Sequence, residues 1–109
     1  MILHPQNENK LNNIEKDWCK QFLLSGYPIV FHTDTVMGIG VNGLSKKAVD
    51  NVYLLKNRTF DKPLILLLEK TEDAKEYIED PEILEQTLIK KNWPGSLTGV
   101  FKKKMGSLI

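Results

Sequence analysis

The feature that most constrains the fold is the run Leu64-Ile65-Leu66-Leu67-Leu68, placed directly after Pro63. It is the longest apolar run in the chain, and at five residues it falls far short of the ~20 that a helix needs to cross a bilayer. A short, unbroken aliphatic run entered through proline reads as a strand buried on both faces, the kind found inside α/β sheets. Such a strand requires neighbours at its edges and helices over its faces.

The rest of the chain supplies candidates for both. Leu11, Ile14, Trp18 and Phe22 recur at three- and four-residue spacing, predicting a helix over 11–24 with Gly26 as its stop. Residues 28–31 (Pro-Ile-Val-Phe) read as a short buried strand, 32–37 as a loop and 38–41 as a second strand. The glycines at 38 and 40 predict a close approach of the backbone to another group. Ser45 is a candidate N-cap for a helix through Lys56, whose apolar face is Ala48, Val49, Val52 and Tyr53. Thr71 is placed to cap a short helix to Ile78. Asp80-Pro81 opens another helix over 82–91, with proline at its first position. Trp93-Pro94-Gly95 breaks that helix, and 97–101 is the last strand candidate. Strands separated by helices predict an α/β (α+β) fold, a mixed β-sheet flanked by helices, with residues 1–109 forming a single domain.

Charge says little about partners. Fifteen Lys and Arg against fourteen Asp and Glu leave a net +1, too small a field to indicate nucleic acid. Fourteen of the fifteen cations are lysine, so the position of the sole arginine, Arg58, stands out. The single cysteine, Cys19, excludes an internal disulfide, and no Cys/His cluster has zinc spacing. Cys19 reads as a core or near-core residue beside Trp18. Residues 1–10 are too poor in apolar side chains for a signal peptide, and the expected location is the cytoplasm, away from membranes.

Polar segments beside the apolar strands are where chemistry is expected. His32-Thr33-Asp34-Thr35 puts two hydroxyls and a carboxylate directly after a strand. Such a set suits binding an amino-acid substrate or helping to place a metal, but read on its own it is more simply a self-capped turn. Lys56, Arg58 and Lys62 place three cations within seven residues. Arg58 can grip phosphate oxygens through two parallel hydrogen bonds, although Lys56 also suits a helix C-terminus. No Gly-x4-Gly-Lys-Ser/Thr loop is present, so any phosphate site must be built from side chains on another scaffold. Trp93-Pro94-Gly95-Ser96-Leu97-Thr98 reads as a turn, and Lys102-Lys103-Lys104 as a solvated strand end. His4 and His32 lack the partners of a triad or a metal site.

In order, these segments resemble the YrdC/Sua5 family of threonylcarbamoyl-AMP synthases. That family has a Pro-Thr-acidic stretch ending Gly-x-Gly, a helix ending Lys-x-Arg, a Pro-Leu strand and a Trp-Pro-Gly-x-x-Thr turn. Here these read His32-Thr33-Asp34-Thr35-Val36-Met37-Gly38-Ile39-Gly40, Lys56-Asn57-Arg58, Asp61-Lys62-Pro63-Leu64 and Trp93-Pro94-Gly95-Ser96-Leu97-Thr98. The resemblance covers about residues 24–101.

It implies a twisted mixed sheet around a basic cavity. It also implies an enzyme that joins L-threonine, bicarbonate and ATP into L-threonylcarbamoyladenylate, releasing pyrophosphate. Magnesium would accompany the ATP. A separate transferase would then pass the group to adenosine 37 of tRNA. Thr35 would contact threonine, with Thr33 and Asp34 shaping that pocket; Lys56, Arg58 and Lys62 would hold the phosphates, with Thr98 near the nucleotide. No residue is assigned a catalytic proton transfer, since positioning and charge neutralisation account for the reaction.

The chain departs from the family at His32 (usually proline), Met37 (usually aromatic) and Leu67 (often polar). The family's later Arg-x-Pro and Ser-x-Asn segments have no match after Phe101. The expectation is therefore a shortened member: a fragment, a truncated product or a reduced form that needs a partner. The alternative is a non-catalytic nucleotide- or RNA-binding module.

Overall fold

A computed structural model describes residues 10–32 and 36–107. The chain falls into two compact units, Met1–Pro63 and Leu64–Ile109.

The first unit opens with helix α1, Asn13–Leu24. Its start is fixed by a reciprocal capping box: Glu15 N donates to Asn12 Oδ1 at 2.8 Å, and Asn12 N donates to Glu15 Oε2 at 2.9 Å. The box satisfies amide donors that a helix start otherwise leaves open, and it places the helix two residues later than Leu11. At the other end Gly26 adopts φ +87°, a left-handed conformation that suits glycine. Tyr27 N then donates to Phe22 O and Gly26 N to Leu23 O, both at 3.0 Å, the Schellman pattern of closure. The Phe22 and Tyr27 rings meet edge to face with centroids 5.9 Å apart. The apolar stripe that signals this helix is largely uncovered, with Ile14 63% exposed. The side turned inward instead carries Glu15, Cys19 and Leu23.

Strands β1 (Ile29–His32) and β2 (Met37–Gly40) pair antiparallel, with Phe31 opposite Gly38 and His32 opposite Met37. The close approach expected at the glycines is to Phe31. A Cβ on Gly38 would stand 2.8 Å from Phe31 Cε2, and one on Gly40 3.0 Å from Phe31 Cε1. Residues 38 and 40 share a face because side chains alternate along a strand, so the ring lies over both. Helix α2, Lys46–Leu55, follows. Ser45 Oγ accepts from Ala48 N at 3.2 Å, the expected cap, and Ala48, Val52 and Tyr53 are buried.

In the second unit a 3-10 turn, Thr71–Glu76, begins after Lys70, so Lys70 and not Thr71 occupies the cap position. The single helix expected over 82–91 is two pieces, a 3-10 turn Pro81–Glu85 and helix α3, Thr87–Asn92, separated at the extended Gln86. Asp80 Oδ1 caps the first piece by accepting from Glu82 N at 3.2 Å. Ala74, Ile78, Leu84 and Ile89 form the core, with Leu68, Ile83, Trp93 and Phe101 packed against it. The Trp93 and Phe101 rings meet edge to face at 5.7 Å. The lysine run is tied down by its backbone: Glu79 N donates to Lys102 O at 2.9 Å and Lys104 N to Tyr77 O at 2.8 Å.

Mixed α/β character holds, but among the described residues the only sheet is the two-stranded β1–β2 hairpin. Residues 64–68 and 97–101 form no strand. Ile65 and Leu67 are 72% and 75% exposed, against the expected burial on both faces. The physical reason is that a strand exists only as part of a ladder. The second unit is built from helical turns and offers residues 64–68 no paired edge. Apolarity alone marked these segments as strands, and it cannot supply a partner.

Candidate active site

The segment after α2 is shaped by the way that helix ends. Lys56 is the C-cap, and Asn57 takes φ +50°, the left-handed conformation. Asn57 N donates to Leu54 O at 3.2 Å and Arg58 N to Tyr53 O at 2.9 Å. These bonds form the same Schellman closure as at the end of α1, with asparagine in the place of glycine. Asparagine tolerates this conformation better than other residues with a Cβ. The Lys-Asn-Arg sequence is thus a helix stop that turns the chain sharply between its two cations.

Beyond the stop, residues 58–63 fold back against α2. Lys62 N donates to Thr59 O at 3.1 Å, making a turn. Two consecutive carbonyls are then held by side chains: Tyr53 Oη donates to Lys62 O at 2.7 Å, and an Arg58 terminal nitrogen donates to Pro63 O at 3.0 Å. The Tyr53 ring stacks on Phe60 with centroids 4.9 Å apart and 27° between planes. Arg58 Nε is buried and has no hydrogen-bond partner among the described residues. Lys56 and Lys62 are exposed on the same loop.

The predicted residues therefore divide into three groups. Lys56, Arg58 and Lys62 lie on one ordered loop of the first unit. Thr98 is exposed in the second unit, after the turn in which Trp93 Nε1 donates to Leu97 O at 2.7 Å. Thr33, Asp34 and Thr35 lie outside the described residues, as does His4. His32 and Met37, which flank the threonine-rich segment, are the last facing pair of the hairpin, and both are exposed. Among the described residues no three His, Cys, Asp or Glu side chains gather as a metal cluster would, and no helix is long and apolar enough to cross a membrane.

Reading the sequence for charge missed Asn57, Tyr53 and Phe60. Asn57 was detectable, because asparagine directly after an apolar-periodic helix is a known stop signal. In the sequence Tyr53 reads only as part of an apolar face, since periodicity is blind to a hydroxyl at the tip of a ring.

A family model described as "Telomere recombination", for Sua5, YciO and YrdC proteins, matches residues 21–109. A Methanocaldococcus jannaschii protein provisionally named as a threonylcarbamoyl-AMP synthase is 41% identical over 83% of this chain. Threonylcarbamoyl-AMP synthases of Pyrococcus abyssi and Photobacterium profundum are 38% and 33% identical, each over 75% of the chain. The matches span 43%, 24% and 45% of those three proteins, so the chain corresponds to less than half of their length. No solved structure gives a significant match. The loop that presents Arg58 and the β1–β2 hairpin both lie inside the matched region, and the chain belongs to the Sua5/YciO/YrdC family.

Proposed function

We propose that this chain carries out, or forms part of a protein that carries out, threonylcarbamoyl-AMP synthesis. The observation that carries the reading is the Lys56–Lys62 loop, which lies inside the family match and holds the sole arginine, through its hydrogen bond to Pro63 O, between two exposed lysines. In this reading Thr33, Asp34 and Thr35 hold L-threonine, whose amine combines with bicarbonate to give a carbamate and water. A carbamate oxygen attacks the α-phosphorus of ATP. The bond from that phosphorus to the β-phosphate bridging oxygen breaks, and pyrophosphate leaves.

The leaving pyrophosphate gains negative charge as that bond breaks. Arg58, Lys56 and Lys62 would neutralise that charge, with Thr98 beside the nucleotide; Mg²⁺ enters with ATP as part of the substrate. The product would go to a threonylcarbamoyl transferase acting on adenosine 37 of tRNA, in the cytoplasm. A twisted mixed sheet, and a single YrdC-like domain over residues 1–109 that is incomplete relative to the family, belong to the same proposal.

A second reading, a nucleotide- or RNA-binding module without turnover, is favoured by the departures at His32, Met37 and Leu67 from the family's usual residues. The two separate on one assay of the purified chain with Mg-ATP and bicarbonate, with and without L-threonine. Pyrophosphate release that requires threonine supports the synthase. ATP binding with no threonine-dependent release supports the module.

A further inference from the structure

We infer that Tyr53 is a positioning residue for the phosphate site, acting through Arg58; its link to ATP rests on the function proposed above. Tyr53 touches the loop at three points. Its backbone carbonyl accepts from Arg58 N at 2.9 Å, its hydroxyl donates to Lys62 O at 2.7 Å, and its ring stacks on Phe60 at 4.9 Å. The next carbonyl along, Pro63 O, is the acceptor for the Arg58 guanidinium at 3.0 Å. Lys62 O and Pro63 O sit on adjacent residues, so fixing the first fixes the acceptor that orients the guanidinium.

Tyr53 is itself nearly buried in the core of α2, beside Ala48 and Val52. The hydroxyl therefore transfers the rigidity of a packed helix to an exposed loop. That matters because a charged donor is effective only when it is held where charge develops. Without the anchor, the Arg58 side chain would regain the rotamer freedom that binding must then remove.

The Tyr53→Phe variant removes only the hydroxyl and keeps the buried ring, so the helix is retained. Arg58 is the sole arginine, so its Nε–H gives one cross-peak in an arginine-selective ¹H–¹⁵N spectrum. In Tyr53→Phe that peak is expected to move and to exchange faster with water. The ATP dissociation constant measured calorimetrically is expected to rise about three- to tenfold, the usual weight of one hydrogen bond. Because the effect passes through Arg58, Tyr53→Phe should change ATP affinity little further in an Arg58→Ala background.

An Arg58 peak that is unchanged in Tyr53→Phe overturns the positioning role, whatever ATP does. Full additivity of the two substitutions overturns the route through Arg58. If the unaltered chain does not bind ATP but the peak still shifts, the function proposed above fails while the positioning of Arg58 stands.

Discussion

The backbone amide of Arg58 donates to the carbonyl of Tyr53 at 2.9 Å, closing α2 and setting the direction in which the sole arginine leaves the helix. The equivalent bond at the end of α1 joins Tyr27 N to Phe22 O at 3.0 Å, and there glycine makes the turn. One closure thus serves two purposes. At α1 it brings two aromatic rings into contact, and at α2 it delivers a cation to a loop.

Asn57 is the residue that permits this delivery, because it adopts φ +50°. Asn57→Gly is expected to leave stability within about 0.5 kcal/mol of the original or raise it slightly, since glycine enters this region freely. Asn57→Val should cost about 1–2 kcal/mol, as a β-branched side chain is strained there. Urea denaturation of the two variants checks the difference. Equal stabilities would mean that the helix stop does not depend on the left-handed turn.

The hairpin makes a packing prediction. A methyl group on Gly38 would stand 2.8 Å from the Phe31 ring, so Gly38→Ala must displace that ring, at a cost of about 1–3 kcal/mol. In a Phe31→Ala background the same substitution should cost almost nothing, because the obstacle is gone. Thermal melts of the four proteins in this cycle measure the coupling.

The legible and illegible parts of the sequence differ for physical reasons. Ser45, Gly26 and Asp80-Pro81 act through bonds to their own near neighbours, and the structure has each in its expected role. The helix over 82–91 broke at Gln86 because two short pieces pack Leu84 and Ile89 into one core. Residues 64–68 depend on a distant ladder partner, so hydrophobicity predicted a strand where none forms. At the candidate site the cations were readable from charge. The anchoring of Lys62 O by Tyr53 was not, since it joins residues nine positions apart through a hydroxyl.

Acid titration should single out one carboxylate. The hydrogen bond and positive charge of Lys90, 2.6 Å from Glu85, hold the Glu85 pKa below the ordinary glutamate value. A lowered folded-state pKa contributes stability that is present above the unfolded value and lost as pH falls through the folded one. Both side chains are exposed, so solvent and salt screen the effect and it should be small. Carbon-detected NMR should place the Glu85 midpoint below the ordinary glutamate value, and Lys90→Gln should return it to that value. A Glu85 midpoint unchanged by Lys90→Gln would show that the pair does not hold in solution.

The central claim is that the Lys56–Lys62 loop neutralises the charge that develops on the leaving pyrophosphate of ATP, and Arg58 is its sharpest test. The measurement is pyrophosphate release from Mg-ATP in the presence of L-threonine and bicarbonate, comparing the unaltered chain with Arg58→Ala. The predicted result is threonine-dependent release that falls by about ten- to a thousandfold in the variant, the usual weight of a charged donor in the transition state. Equal release from both proteins, or no threonine-dependent release from either, would contradict it.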